Sequence, residues 1–341
     1  MRKIIEDYRI WPGEHCGSAS MRGLLAFYCD LELPEDAVFG LGAGLGSGFI
    51  DQRENPGADY AVAVFGRTAT LEVDLGRHLG IDYREQTEED DDHAWDVVRD
   101  EILAGRPTML AGDIFYLDYR DYKVNFPSHR FVLMGFDDER EEVYIGDRIR
   151  DEFETCSLAA VKVSRNAPTP MSDRNRWGRF HDTVVGNDLR TAAESAIRAC
   201  ARAMLGGESD ATSFPAARLG VDGTRAYGEA LPSVAALPNA ESTAGFNAPL
   251  LEKFGNGGGN FRRLYAGFLA WARELDEKLV PADAPTLCLS AADEWTAAST
   301  DILRARDTPA DPAPWKDAAG HIARAADIEE TLFTRLADTV G

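Results

Sequence analysis

The sequence is short of lysine, with 6 lysines beside 30 arginines in 341 residues. Its 36 basic residues face 58 acidic ones, a net charge of −22. It lacks a polybasic stretch, which argues against electrostatic anchoring on an anionic membrane. Non-specific nucleic-acid binding needs basic surface to displace counterions, and a chain this acidic is ill suited to it. No run of about 18 apolar residues occurs, so no membrane span is expected. The segment Met1 to Asp7 turns acidic before any long apolar run forms, so it is not expected to act as a secretory signal. There are only five cysteines, Cys16, Cys29, Cys156, Cys200 and Cys288, with no C-x-x-C spacing. That odd, scattered set argues against zinc or a disulfide framework and predicts reduced thiols in a cytoplasm.

Glycine is plentiful, yet its runs carry no phosphate-binding pattern. Gly40 to Gly48 contains no G-x-G-x-x-G in any register, and no Gly-Lys-Ser/Thr follows it. The run Gly255–Asn260 fails the same test. Tight backbone packing or a loop near a site is the expected role, and no cofactor or metal is expected. Arg262 and Arg263 follow the second run, at the expected first turn of a helix, where the dipole disfavours cations. That placement suggests that one of them faces an anion or a carboxylate.

The first half mixes helix and strand signals. Gly17 to Asp30, Leu71 to Leu79 and His93 to Leu103 read as helices. Tyr60–Phe65, Thr108–Ala111, Phe131–Phe136 and Val143–Ile145 read as strands, the last two forming a hairpin. The nine carboxylates between Glu85 and Glu101 read as a solvated loop and helix face. Residues 166–183, rich in Pro, Asn, Ser and Arg, read as the place of a domain boundary. Beyond them the pattern is helical, with stripes such as Leu189, Ala193, Ala196, Cys200 and Met204. The fold class expected is therefore α+β, with one domain over residues 1–165 and a helical one over 166–341.

Cys16 holds the most informative position. It stands at the expected first turn of a helix after the turn Trp11-Pro12-Gly13, where a helix N-terminus favours thiolate. A nucleophilic thiolate needs an imidazole partner and a third group to orient the ring. Of the six histidines, His129 has the best context, at the start of a strand. Asp147 ends the paired strand, and a hairpin returns both ends to one edge. Cys16, His129 and Asp147 are thus the candidate catalytic residues. His15, adjacent to Cys16, is a candidate for the mouth of the site. Tyr116, Asp118, Tyr119 and Asp121 are candidates to line an acceptor pocket, where a carboxylate would suit an amine.

Glu14-His15-Cys16 with its helix, followed by Phe39-Gly40-Leu41-Gly42-Ala43-Gly44, resembles the start of the BtrH family of acyltransferases, named for butirosin biosynthesis. His129–Asp137 with Val143–Asp147 is similar to that family's histidine hairpin, and to the equivalent segment of papain-like peptidases of the bacteriocin-processing type. Gly257–Tyr265 with Phe268-Leu269 resembles the helical C-terminal domain of BtrH-like chains.

The resemblance implies a papain-like cysteine-nucleophile domain with an antiparallel sheet, then an α-helical domain. It implies amide formation in secondary-metabolite, including antibiotic, biosynthesis. Cys16 would take an acyl group from an acyl carrier protein or acyl-CoA and pass it to a small amine. Apart from the resemblance, Arg262 is a candidate substrate-binding residue from its place in that first helical turn. Two other readings stay open: a cysteine hydrolase with the same triad, and a non-catalytic binding protein on the same fold. The sequence departs from the peptidase pattern, because Tyr8–Gly13 has no glutamine to build an oxyanion hole. An acidic carrier would also need a local arginine patch on a chain of net charge −22. The helical part suits either a cap over the cleft or a homodimer face.

Overall fold

Apolar, β-branched runs bounded by turn residues form the strands, and apolar residues at helical spacing form the helices. The computed structural model describes residues 1–55, 57–123, 125–169, 172–206 and 218–341. In chain order these hold β1 (Arg2–Ile4), α1 (Cys16–Cys29), α2 (Glu35–Leu41), β2 (Leu45–Asp51) and β3 (Val62–Arg67). Next come α3 (Leu71–Leu79), β4 (Tyr83–Gln86), α4 (Asp91–Leu103), β5 (Thr108–Gly112) and a short 3-10 turn at Ile114–Tyr116. β6 (His129–Asp137), β7 (Glu142–Gly146), β8 (Glu154–Ser157), α5 (Leu158–Arg165) and β9 (Trp177–Phe180) follow. Then come α6 (Leu189–Gly206), β10 (Arg218–Leu219), α7 (Gly220–Val234) and α8 (Ala240–Glu252). α9 (Arg262–Leu275), α10 (Ala284–Asp307) and α11 (Pro312–Val340) complete the order. The class is mixed helix and antiparallel sheet.

Two units divide the chain: Met1–Val38 with Leu79–Gly186, and Phe39–His78 with Asn187–Gly341. This differs from the single boundary expected at 165/166. Residues 39–78 belong with the later helices, and residues 166–186 with the first unit. The segment expected to hold the boundary supplies β9, which lies between β4 and β5 in the main sheet. A four-residue strand inside a polar segment shows too little alternation to be read from sequence.

The first unit is built on a seven-stranded sheet in the order β4-β9-β5-β6-β7-β8, with β1 added to β6. Every pairing is antiparallel. β6 is central and buried along its whole length, which explains its continuous apolar run. Gly112 pairs with His129, and Asp137 with Glu142 at the hairpin end. The opposite end of that hairpin therefore carries both His129 and Asp147.

The second unit packs α6 to α11 with a small sheet, β10-β2-β3. Phe49, Val64, Tyr227, Trp295, Trp315 and Ile322 lie in its core. In its glycine run, Gly40 serves close packing. A Cβ on Gly40 would stand 1.8 Å from Cγ of Phe268, so only glycine lets α2 approach α9. Arg262 faces a carboxylate inside this core: its Nε donates to Glu329 Oε1 at 2.8 Å, and Trp295 Nε1 donates to the same oxygen at 2.7 Å.

Candidate active site

α1 begins at Cys16 because His15 caps it. His15 has extended backbone, and its Nδ1 accepts from the Ser18 N–H at 3.2 Å. The turn before it is held from two sides. Gly13 donates its N–H to the Arg148 carbonyl at 2.8 Å, and Arg148 Nη1 donates to the Gly13 carbonyl at 3.3 Å. Glu35, at the start of α2, accepts from the N–H groups of Glu14 and His15, each at 2.8 Å. It also accepts from Ser18 Oγ at 2.8 Å. Cys16 is thereby fixed at the positive end of α1, and its side chain is buried.

His129 Nε2 stands 3.1 Å from Asp147 Oδ1, and the ring also hydrogen-bonds to Cys16. Both His129 and Asp147 are 3% exposed. Burial alone would pull the imidazole's pKa down. Asp147 beside it, with the hydrogen bonds to Asp147 and Cys16, outweighs burial and raises it to about 10. Asp147 moves the other way. Burial opposes its charge, but the His129 cation and three hydrogen-bond donors hold the carboxyl well below the usual range. Those donors are His129, the Arg148 N–H at 2.7 Å to Oδ1, and Tyr119 Oη at 2.9 Å to Oδ2. Arg120 Nε adds a positive charge 3.8 Å from Oδ2. Arg148 joins the two halves of the cluster, since its N–H holds Asp147 and its carbonyl holds Gly13.

The other expected residues are placed differently. His15 is 2% exposed and serves as the helix cap. Tyr119 is tied to Asp147 rather than open to a ligand. The Asp118 carboxylate accepts from the Ser157 N–H at 3.1 Å and so caps a turn of the fold. Asp121 is exposed and pairs with Lys123. Tyr116 is half-buried, edge-on to Phe115 at 5.2 Å. Arg262, expected at a substrate, is 0% exposed and spent on Glu329. Sequence reasoning missed Glu35 and Arg148. An acidic residue in a helix's first turn reads as a dipole complement, and nothing local tells that Glu35 reaches back about 20 residues.

Among the described residues, no group of three or more His, Cys, Asp or Glu side chains could hold a metal ion. No helix among them is long and apolar enough to cross a membrane. Fold and site together define a mixed helix-and-sheet protein with a buried thiol–imidazole–carboxylate cluster at the end of an antiparallel hairpin. Residues 15–148 match the family described as "Butirosin biosynthesis protein H, N-terminal", and residues 156–336 match "Domain of unknown function (DUF4872)". The chain belongs to the BtrH-like family, whose two parts occur here in order. No curated protein matches it.

Proposed function

We propose that this chain is a cysteine-dependent acyltransferase with a papain-like first unit. Cys16 is its nucleophile, His129 its acid and base, and Asp147 the residue that orients His129. The observation that carries this reading is the buried His129 ring, bonded to both Cys16 and Asp147. The family's name supports a biosynthetic role in secondary, antibiotic-type metabolism, and amide formation is the reaction proposed for it. The small, odd set of scattered cysteines supports a cytoplasmic location.

The chemistry follows from the charges. The raised pKa of His129 keeps the ring protonated at neutral pH, beside the thiolate of Cys16. The thiolate attacks the carbonyl of a thioester on an acyl carrier protein or coenzyme A. The C–S bond to the carrier breaks, and His129 gives its proton to the departing thiolate. A small amine then attacks the acyl-enzyme. Neutral His129 takes the amine proton, the amide leaves, and the thiolate–imidazolium pair is restored. Two lower barriers replace one.

The first test needs no substrate. Iodoacetamide labelling is mapped by mass spectrometry against pH. Cys16 should still react near pH 6, and His129→Ala should abolish that advantage. Cys29 is the internal control, its thiol pushed up to about 11 by burial and by Asp182. A Cys16 that labels no better than Cys29 at pH 6 rejects the reading and favours a binding protein. Incubation with acyl thioesters should then add the acyl mass to Cys16. Discharge by added amine supports transfer, whereas discharge by water alone makes the protein a hydrolase.

A further inference from the structure

We infer that Glu35 is a positioning residue for the nucleophile, an inference that rests on the reading of Cys16 as that nucleophile. Its carboxylate takes three hydrogen bonds from residues on both sides of Cys16. Oε2 accepts from the Glu14 N–H, and Oε1 accepts from the His15 N–H and from Ser18 Oγ, each at 2.8 Å. These donors lie in one short stretch, the turn that enters α1 and that helix's first turn. A Cβ on Gly13 would fall 2.6 Å from Glu35 Oε2, so glycine at that position leaves the carboxylate its place.

An acidic side chain is a costly choice here for stability of the thiolate. A negative charge beside Cys16 opposes a second negative charge on its sulfur, against the pull of His129 and the helix dipole. A neutral acceptor would avoid that repulsion. A carboxylate is unusual in having two oxygens that only accept, and three donors converge here. Glutamine would turn an NH2 group toward at least one of them. Glu35 therefore holds the turn rigid, at some electrostatic expense, so that Cys16 meets His129 in reacting geometry.

The test uses the full chain with Glu35→Ala and Glu35→Gln. Two readouts are taken: turnover with an acyl thioester and amine, and the pH profile of Cys16 labelling. Glu35→Ala loses all three bonds, and turnover should fall by about ten- to a hundredfold with little change in KM, as expected for a misplaced nucleophile. Glu35→Gln keeps the shape, loses the charge, and should recover part of the turnover. Its labelling curve should move to lower pH by roughly half a unit or more, because the thiolate is no longer repelled. A residue that only stabilised the fold would lose turnover in step with folded protein, whereas a positioning residue loses turnover per folded molecule and regains part of it in Glu35→Gln. Urea midpoints establish the folded fraction of each variant. Wild-type turnover in both variants with an unmoved curve overturns the inference. So does a Glu35→Ala loss that only tracks lost folded protein, with Glu35→Gln unchanged in both readouts. Failure of the underlying site reading would show separately, as an unreactive Cys16 in the wild type.

Discussion

Tyr119 touches Asp147, the residue proposed to orient His129, and not the thiol–imidazole pair proposed to react. Its hydroxyl donates to Asp147 Oδ2 at 2.9 Å, while Asp147 Oδ1 faces His129. Burial, then the Asp147 charge, push its own pKa well above the usual tyrosine value, so it stays a donor throughout the working pH range. Tyr119→Phe removes that donor and leaves the ring. A buried carboxylate that loses one hydrogen bond should destabilise the fold by about 1–3 kcal/mol. It should also hold His129 less firmly, so turnover should fall severalfold or more. Urea unfolding and steady-state kinetics on one preparation check both effects. Unchanged stability would mean that Tyr119 is not bonded to Asp147 in solution.

At the scale of elements, close approach explains what composition could not. Gly40 lets α2 lie against Phe268 of α9. Gly40→Ala puts a methyl group into the ring of Phe268, which has no slack end to swing away. Overpacking of this kind destabilises by about 1–3 kcal/mol, seen as a lower urea midpoint. Long periodic elements were legible from sequence. The reading His93–Leu103 became Asp91–Leu103, and Leu71–Leu79 agreed at both ends. The hairpin from His129 was legible because its apolar run is long and its turn acidic. β9 was not, because four residues in a polar segment offer no period. The meeting of His129 and Asp147 followed from strand pairing alone. Tyr119, bonded to Asp147, was visible only as part of an aromatic loop. Glu35 left no signal, because its contacts depend on how α2 folds back on the turn before α1.

For the whole molecule, the cluster at His129 should be visible in stability against pH. His129 has a folded pKa raised from 6.5 to about 10, so its contribution is complete below 6.5 and is lost as pH rises toward 10. Asp147 is lowered from 3.8, so its contribution is complete above 3.8 and is lost as pH falls below it. The pair therefore stabilises fully only between those two ordinary values, from 3.8 to 6.5. The many other charges of a chain at −22 also titrate, and the wild-type curve alone would mix them all. Subtracting a variant isolates the pair. The difference in unfolding free energy between wild type and His129→Ala should be largest from about pH 4 to 6.5 and should shrink steadily toward pH 10. A difference that stays flat to pH 10, or one already gone at pH 7, would mean that His129 is not held as a cation between Asp147 and Cys16. The mechanism would then have to begin from a neutral imidazole and a protonated thiol.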